Sequence, residues 1–281
     1  MNRIDDFSGK SVIVTGASAG VGAEVARVFA EAGARLMLVA RRREPLKLIA
    51  EELSEITETR TMTMDVADID ACRDLVRKTV FEFGSLHVLV NNAGAHYRGN
   101  FDTVDVAQIA QMIDVNLRAP LVLSRLSLDA MRNAGGGAIV QVASIAGTTP
   151  VPGSATYSAS KFGLRAFTLA LADELKGSNV HVGAVSPGPI DTGFIMSDID
   201  EVTDLTFSQP MSTAREVADA VLKVAAGDAL DYKMPRISGV LGDVGYMFPS
   251  IKRLLRPLLE RRGRKAKAFY KARAIAAKSD D

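Results

Sequence analysis

Short apolar runs recur along the chain at residues 11–14, 36–40, 60–64, 86–90, 138–142 and 180–185. Each is bounded by polar or turn-forming residues and has the length of a buried strand. Between them, apolar positions fall three and four apart, as at 23–32, 155–176 and 214–226, which predicts amphipathic helices. Strands alternating with helices predict an α/β fold, with a parallel sheet buried on both faces. Because such crossovers are almost always right-handed, the sheet is expected to be doubly wound and Rossmann-like, binding ligands outside the carboxyl ends of its strands. Residues 131–137, with three glycines in succession, read as a helix stop before the fifth strand. A seventh strand near 232–237 is weakly marked. Residues 194–211 have little periodicity and read as a lid.

Composition narrows the picture only modestly. The 281 residues are 47% hydrophobic and 24% charged, enough for a sizeable core and one α/β domain, 1–245, followed by a tail, 246–281. Cys72 is the single cysteine, so an internal disulfide is excluded, and its helical pattern makes it a packing thiol. His87, His96 and His181 lack ligand spacing and read as core or loop histidines, with no metal expected. The start carries no apolar leader and no apolar run reaches the ~18 residues that span a bilayer. A cytoplasmic or peripheral membrane protein is the expectation.

Chemistry concentrates after the strands. The first strand runs into Thr15-Gly16-Ala17-Ser18-Ala19-Gly20-Val21-Gly22 and then into a helix. Strand, glycine turn and helix in that order offer backbone N–H groups and a helix N-terminus to a phosphate. Gly16 makes the turn, Gly20 lets the backbone approach a pyrophosphate, and Gly22 lets helix and strand pack closely. Further on, Tyr157 and Lys161 lie four apart in a predicted helix, with Ser144 thirteen residues upstream of Tyr157. Residues four apart share a helix face, so an ammonium can lie beside a phenol and lower its pKa. Ser144, from another element, would hold a substrate oxygen there. That trio suits hydride transfer to or from a carbonyl, in which a proton moves on oxygen.

These motifs, with Asp65-Val66, Asn91-Asn92-Ala93-Gly94, Asn116 and Pro187-Gly188-Pro189-Ile190-Asp191-Thr192, resemble the short-chain dehydrogenase/reductase family over residues 10–192. The resemblance implies an oxidoreductase in which Tyr157 is the acid/base, Lys161 tunes it and contacts the nicotinamide ribose, and Ser144 orients the carbonyl oxygen. Asn116 would hold a water that relays protons from Lys161. Ser18, Ala19 and Val21 would join the glycines at the pyrophosphate, Asp65 and Val66 would flank the adenine, and Asn92, Ala93 and Gly94 would pass beneath the ribose. Pro187, Gly188, Ile190 and Thr192 would hold the carboxamide.

The end of the second strand bears on which dinucleotide is bound. It reads Ala40-Arg41-Arg42-Arg43, with no carboxylate before Glu44. Guanidinium groups form bidentate bonds to phosphate, so Arg41, assisted by Arg42 or Ser18, favours the 2′-phosphate of NADP(H). Residues 145–153 carry no charge, and Ala95, Phe194, Ile195 and Met196 are apolar beside the polar His96 and Tyr97. A lipophilic ketone, aldehyde or secondary alcohol is the expected substrate.

Charge is uneven. Residues 251–281 hold eleven Lys/Arg against three Asp/Glu, and residues 1–250 hold twenty-three against thirty. Ile251, Leu254, Leu255, Leu258 and Leu259 recur at helical spacing among Lys252, Arg253, Arg256, Arg261 and Arg262. Two readings are open: a helix lying on an anionic membrane through residues 251–278, or one packed on the body or on a partner subunit. Pro257 and the absence of Trp favour packing. This extension also departs from the family pattern and puts the usual tetramer contacts in question, while a homodimer through the long helices around Asn116 and Tyr157 stays plausible. A competing function is a non-enzymatic NADP(H) sensor or scaffold acting through the tail. It has no use for Ser144, Tyr157 and Lys161 together. With only Phe269 and Tyr270 as nearby aromatics, the tail implies no specific nucleic acid.

Overall fold

The computed structural model describes residue 4 and residues 6–192, 199–235 and 246–279. In chain order the elements are β1 (Ser11–Thr15), α1 (Gly20–Glu31), β2 (Arg35–Ala40), α2 (Arg43–Ser54), β3 (Thr59–Thr63), α3 (Ile69–Phe83) and β4 (Val88–Asn91). Then come α4 (Val106–Ile113), α5 (Ala119–Asn133), β5 (Gly137–Val142), α6 (Ala155–Glu174), β6 (Val180–Pro187), α7 (Ala214–Ala226), β7 (Asp231–Met234) and α8 (Pro249–Ser279). The strands form one sheet in the order β3-β2-β1-β4-β5-β6-β7, and every pairing is parallel.

The alternation along β1 shows why both faces are covered. Val12 and Val14 join a cluster with Val25 and Phe29 of α1 and Val217 and Val221 of α7. Ile13 points the other way, to Leu75 of α3 and Leu123 and Met131 of α5. Side chains alternate across a strand, so a run that is apolar throughout needs helices on both sides. Local signals fix the helix ends. Asp68 caps α3 by accepting from the N–H of Asp70 and Ala71. Thr213 and Glu216 form a reciprocal capping box at α7, which Gly227 closes in a left-handed conformation.

Connections leave β1 in one direction across the sheet and β4 in the other, so the topology switches between these two strands. Thr15 ties their ends together: its hydroxyl accepts from the N–H groups of Asn92 and Ala93, each at 3.0 Å.

Two features differ from the sequence reading. Asn116 lies in a π-helical turn, Asp114–Arg118, between α4 and α5 rather than in regular helix; neither propensity nor periodicity marks such a turn. The seventh strand ends at Met234, before Pro235, whose missing N–H cannot extend the ladder, and positions 236–237 fall outside the described residues. Finally, α8 runs on through Pro257, which interrupts the apolar pattern of the tail.

Candidate active site

A cavity of about 1390 Å³ opens along the carboxyl edge of the sheet. At one end, β1 turns through Gly16 into α1. The close approach is at Gly22, where a Cβ would lie 2.2 Å from the carbonyl oxygen of Gly16 and 2.5 Å from Asn92 Nδ2. Nothing there is free to yield, because Asn92 Nδ2 donates to the carbonyl of Thr15 at 2.9 Å. The N-terminus of α1 has neither a side-chain cap nor an acidic residue in its first turn. Its orphan N–H groups border the cavity, a setting suited to a pyrophosphate. Beside it, Arg41 and Arg42 are exposed and line the mouth, and neither is ion-paired to a described residue. Asp65 and Val66 after β3, and Asn92, Ala93 and Gly94 after β4, continue the wall. A dinucleotide therefore fits these residues.

The sheet's middle carries the proton chemistry. Ser144 follows β5 and caps a short 3-10 turn, its hydroxyl accepting from the N–H of Ala146 at 3.1 Å. Tyr157 and Lys161 rise from the first turns of α6, with Lys161 Nζ 5.8 Å from the centre of the Tyr157 ring. Lys161 is buried, and its ammonium donates to the carbonyl of Val142 at 2.8 Å. Burial lowers its pKa to about 8, since a desolvated cation is disfavoured. Burial also raises Tyr157; its hydrogen bond with Ser144 and the charge of Arg98 act in the opposite direction but do not outweigh it. Lys161 is thus turned to the strand, while burial holds the phenol above its ordinary value.

Asn116 stands apart from the other expected residues. It is buried behind the wall, accepting from the N–H of Ala95 at 2.8 Å and donating to Ala95 O at 2.8 Å and Ser160 Oγ at 3.2 Å. Its amide holds the loop after β4. Gly16, Ser18, Ala19, Gly20, Val21, Pro187, Gly188, Ile190 and Thr192 all line the cavity. Phe194, Ile195 and Met196 lie outside the described residues. Tyr97 is engaged with Gln111 at 2.6 Å.

Several contacts at the site are not legible in the sequence. His96 stacks on Tyr157, with ring centres 4.0 Å apart and planes at 16°, and its Nε2 lies 3.0 Å from Ser154 Oγ. Burial and the nearby cations Arg98 and Lys161 lower its pKa to about 3, so it is a neutral platform. Arg98 lines the same cavity, as do Leu259 and Arg262 of α8. Nothing local in the sequence marks a residue a hundred positions downstream as part of Tyr157's surroundings.

The outer wall is a cover of residues 199–211 braced by α8. A Cβ at Gly263 would lie 1.7 Å from the carbonyl oxygen of Asp204. Ala266 and Tyr270 pack on Val202 and Phe207, and Lys267 Nζ donates to the carbonyls of Asp200 and Val202 at 3.1 and 2.6 Å. Arg264 pairs with Asp204 at 3.2 Å, and Lys271 pairs with Asp200. Cys72, far from this wall, is a buried thiol pushed up to about 11 mainly by burial, as its packing role requires.

A parallel sheet with a glycine turn at its switch point and a Ser-Tyr-Lys trio on the same edge defines a dinucleotide-dependent oxidoreductase class. The chain belongs to the short-chain dehydrogenase family, whose model matches residues 10–227. It is 31% identical to 7alpha-hydroxysteroid dehydrogenase of Bacteroides fragilis over 238 residues, covering 82% of this chain and 91% of that protein. Sulfoacetaldehyde reductase 2 of Chromohalobacter salexigens is 38% identical over 187 residues, 66% of this chain and 74% of the relative. A crystal structure from Sinorhizobium meliloti 1021, described as a short-chain alcohol dehydrogenase, superposes with a TM-score of 0.72 at 28% identity, covering 86% of this chain and 98% of the other. The chain is thus an oxidoreductase of a family that uses nicotinamide cofactors.

Proposed function

We propose that this chain transfers a hydride between NADP(H) and a lipophilic ketone, aldehyde or secondary alcohol, with Tyr157 exchanging the proton on the substrate oxygen. The observation that carries this reading is the convergence of Ser144, Tyr157 and Lys161 on a cavity whose far end is the uncapped α1 turn flanked by Arg41 and Arg42. When bound, the nicotinamide supplies the hydride. The chain's own residues position and protonate. The N–H groups of α1 hold the pyrophosphate, and Arg41 with Arg42 grips the 2′-phosphate in place of the carboxylate that would prefer a free ribose hydroxyl. Ser144 holds the substrate oxygen against the Tyr157 hydroxyl, and His96 keeps the phenol ring in one orientation. Lys161, protonated below about pH 8, stabilises the phenolate after the proton has left.

Ile145, Val151, Val202, Leu205 and Leu259 stand on the walls near the trio, together with the charged Arg98, Glu201 and Arg262. The apolar set supports a lipophilic body for the substrate. Assembly into a homodimer through the helices around Asn116 and Tyr157 belongs to the same proposal and is read by light scattering.

The test is oxidation of NADPH and NADH over a panel of lipophilic ketones and aldehydes. Tyr157→Phe should lower kcat by about 10²–10⁴ while NADPH still binds. Arg41→Ala with Arg42→Ala should raise KM for NADPH by about ten- to a hundredfold and leave NADH unchanged. Tight NADPH binding without turnover on any compound would favour the sensor reading, and equal use of both cofactors would remove the role given to the arginines.

A further inference from the structure

The inner face of α8 is accounted for by the cover; the outer face is not. Leu254, Leu258, Lys265 and Phe269 follow at steps of four, seven and four, which places them along one stripe of a helix with 3.6 residues per turn. Leu259, Gly263, Ala266 and Tyr270, the residues turned toward the body, lie on the opposite side. Leu254, Leu258 and Phe269 are 80%, 68% and 64% exposed, unusual for large apolar side chains that share a stripe.

The cations divide in the same way. Arg264, Lys267 and Lys271 are engaged with residues 200–204 of the cover, and Arg256 pairs with Glu260. Arg261, Arg262 and Lys265 are exposed and have no ion-pair partner among the described residues. Helical spacing puts these three on or beside the apolar stripe. The outer face thus combines exposed leucine and phenylalanine side chains with unpaired positive charge.

We propose that this outer face docks the protein on an anionic lipid surface, with α8 lying in the interfacial plane and the cavity's outer wall held against the bilayer. An interfacial helix needs one apolar side to enter the acyl boundary and cations at its flanks to meet anionic headgroups, and this stripe supplies both. A second copy of the chain is a poorer occupant. Symmetric pairing of two such faces would set Arg261, Arg262 and Lys265 against the same cations of the partner. Docking is peripheral, since no helix among the described residues is long and apolar enough to cross a membrane. Leu259 and Arg262 also line the cavity, so the docked helix forms part of its wall. The docking itself does not depend on the proposed reaction.

The test is co-sedimentation of the full chain with vesicles of phosphatidylcholine, with and without phosphatidylglycerol, at low and high salt. The expected result is binding only when phosphatidylglycerol is present, weakened by salt. Leu254→Glu with Leu258→Glu and Phe269→Glu should abolish it, and Arg261→Ala with Lys265→Ala should weaken it by about thirtyfold. NADPH binding, which the glycine turn supports, should be unchanged in both variants and shows that they are folded. Absence of binding to anionic vesicles overturns the proposal, as does binding that neither variant weakens. So does a parent dimer in light scattering that the glutamate variant splits, which would assign the face to a second copy.

Discussion

The two ends of the cavity are walled by different kinds of contact. At the β1–α1 turn, backbone meets backbone: Gly22 lies against the carbonyl of Gly16, and Thr15 and Asn92 lock β1 to β4 through part-buried hydrogen bonds. At the cover, the contacts are between side chains and loop carbonyls of two segments sixty residues apart, and most of their ion pairs are exposed. A rigid end suits a cofactor of fixed shape, and a softer end suits a substrate that must enter and leave. At Gly263 the cover is packed as tightly as the turn.

The sharpest way to break this contrast is Gly22→Ala. The added methyl meets backbone that cannot move aside, so a loss of about 2 kcal/mol or more is expected, seen as a lower melting temperature together with lost NADPH binding. If the variant melts like the parent and binds NADPH, the turn is not the rigid end.

Gly263→Val should act on the other end alone. Helix and cover would separate, raising KM for bulky substrates several-fold, about 1 kcal/mol in binding, with NADPH affinity unchanged. Equal effects on both ligands would show that the two walls move together.

Lys161→Met sharpens the comparison through pH. The unfolded chain holds this proton with an ordinary lysine pKa of about 10.4, whereas the folded chain releases it at about 8. Between those values the unfolded state binds more protons, so parent stability gains from this residue as pH rises from about 8. Below about 8 the whole penalty of the buried ammonium is present. The methionine variant should therefore be inactive, melt no lower than the parent at neutral pH and lose this gain above pH 8. A lower melting temperature at neutral pH would mean that the bond to Val142 outweighs the penalty.

The smallest effect belongs to Arg264→Ala. Its pair with Asp204 is exposed and should contribute less than about 1 kcal/mol, visible at most as a small salt-dependent change in melting. A larger loss would make the cover electrostatic rather than packed.

The contrast also separates what could be read in advance from what could not. The β1 turn was legible because its constraint is local: a residue without Cβ is required within a few positions of the strand it must touch. Tyr157 and Lys161 were legible because a single helix fixes their spacing. The motif marks Asn116, but not its π turn or its hold on Ala95, since a change in helix type has no periodic signature. In the sequence His96 reads only as a polar exception, and its stacking on Tyr157 depends on where the loop after β4 meets α6. For the tail, the amphipathic pattern was visible but not the direction of its faces. The inner face is selected by contacts at Asp204 and Phe207.

By itself, then, the sequence determined the alternation of strands and helices, the glycine turn, the Ser-Tyr-Lys trio and the basic character of the tail. These rest on periodicity, backbone conformation and charge, which act over a few residues. The tertiary structure decided which cations of α8 are paired and which are left outward, how Lys161 is turned to Val142, and that Leu259 and Arg262 share a cavity with Tyr157. Those outcomes depend on packing between segments far apart in the chain, and sequence spacing carries no measure of that distance.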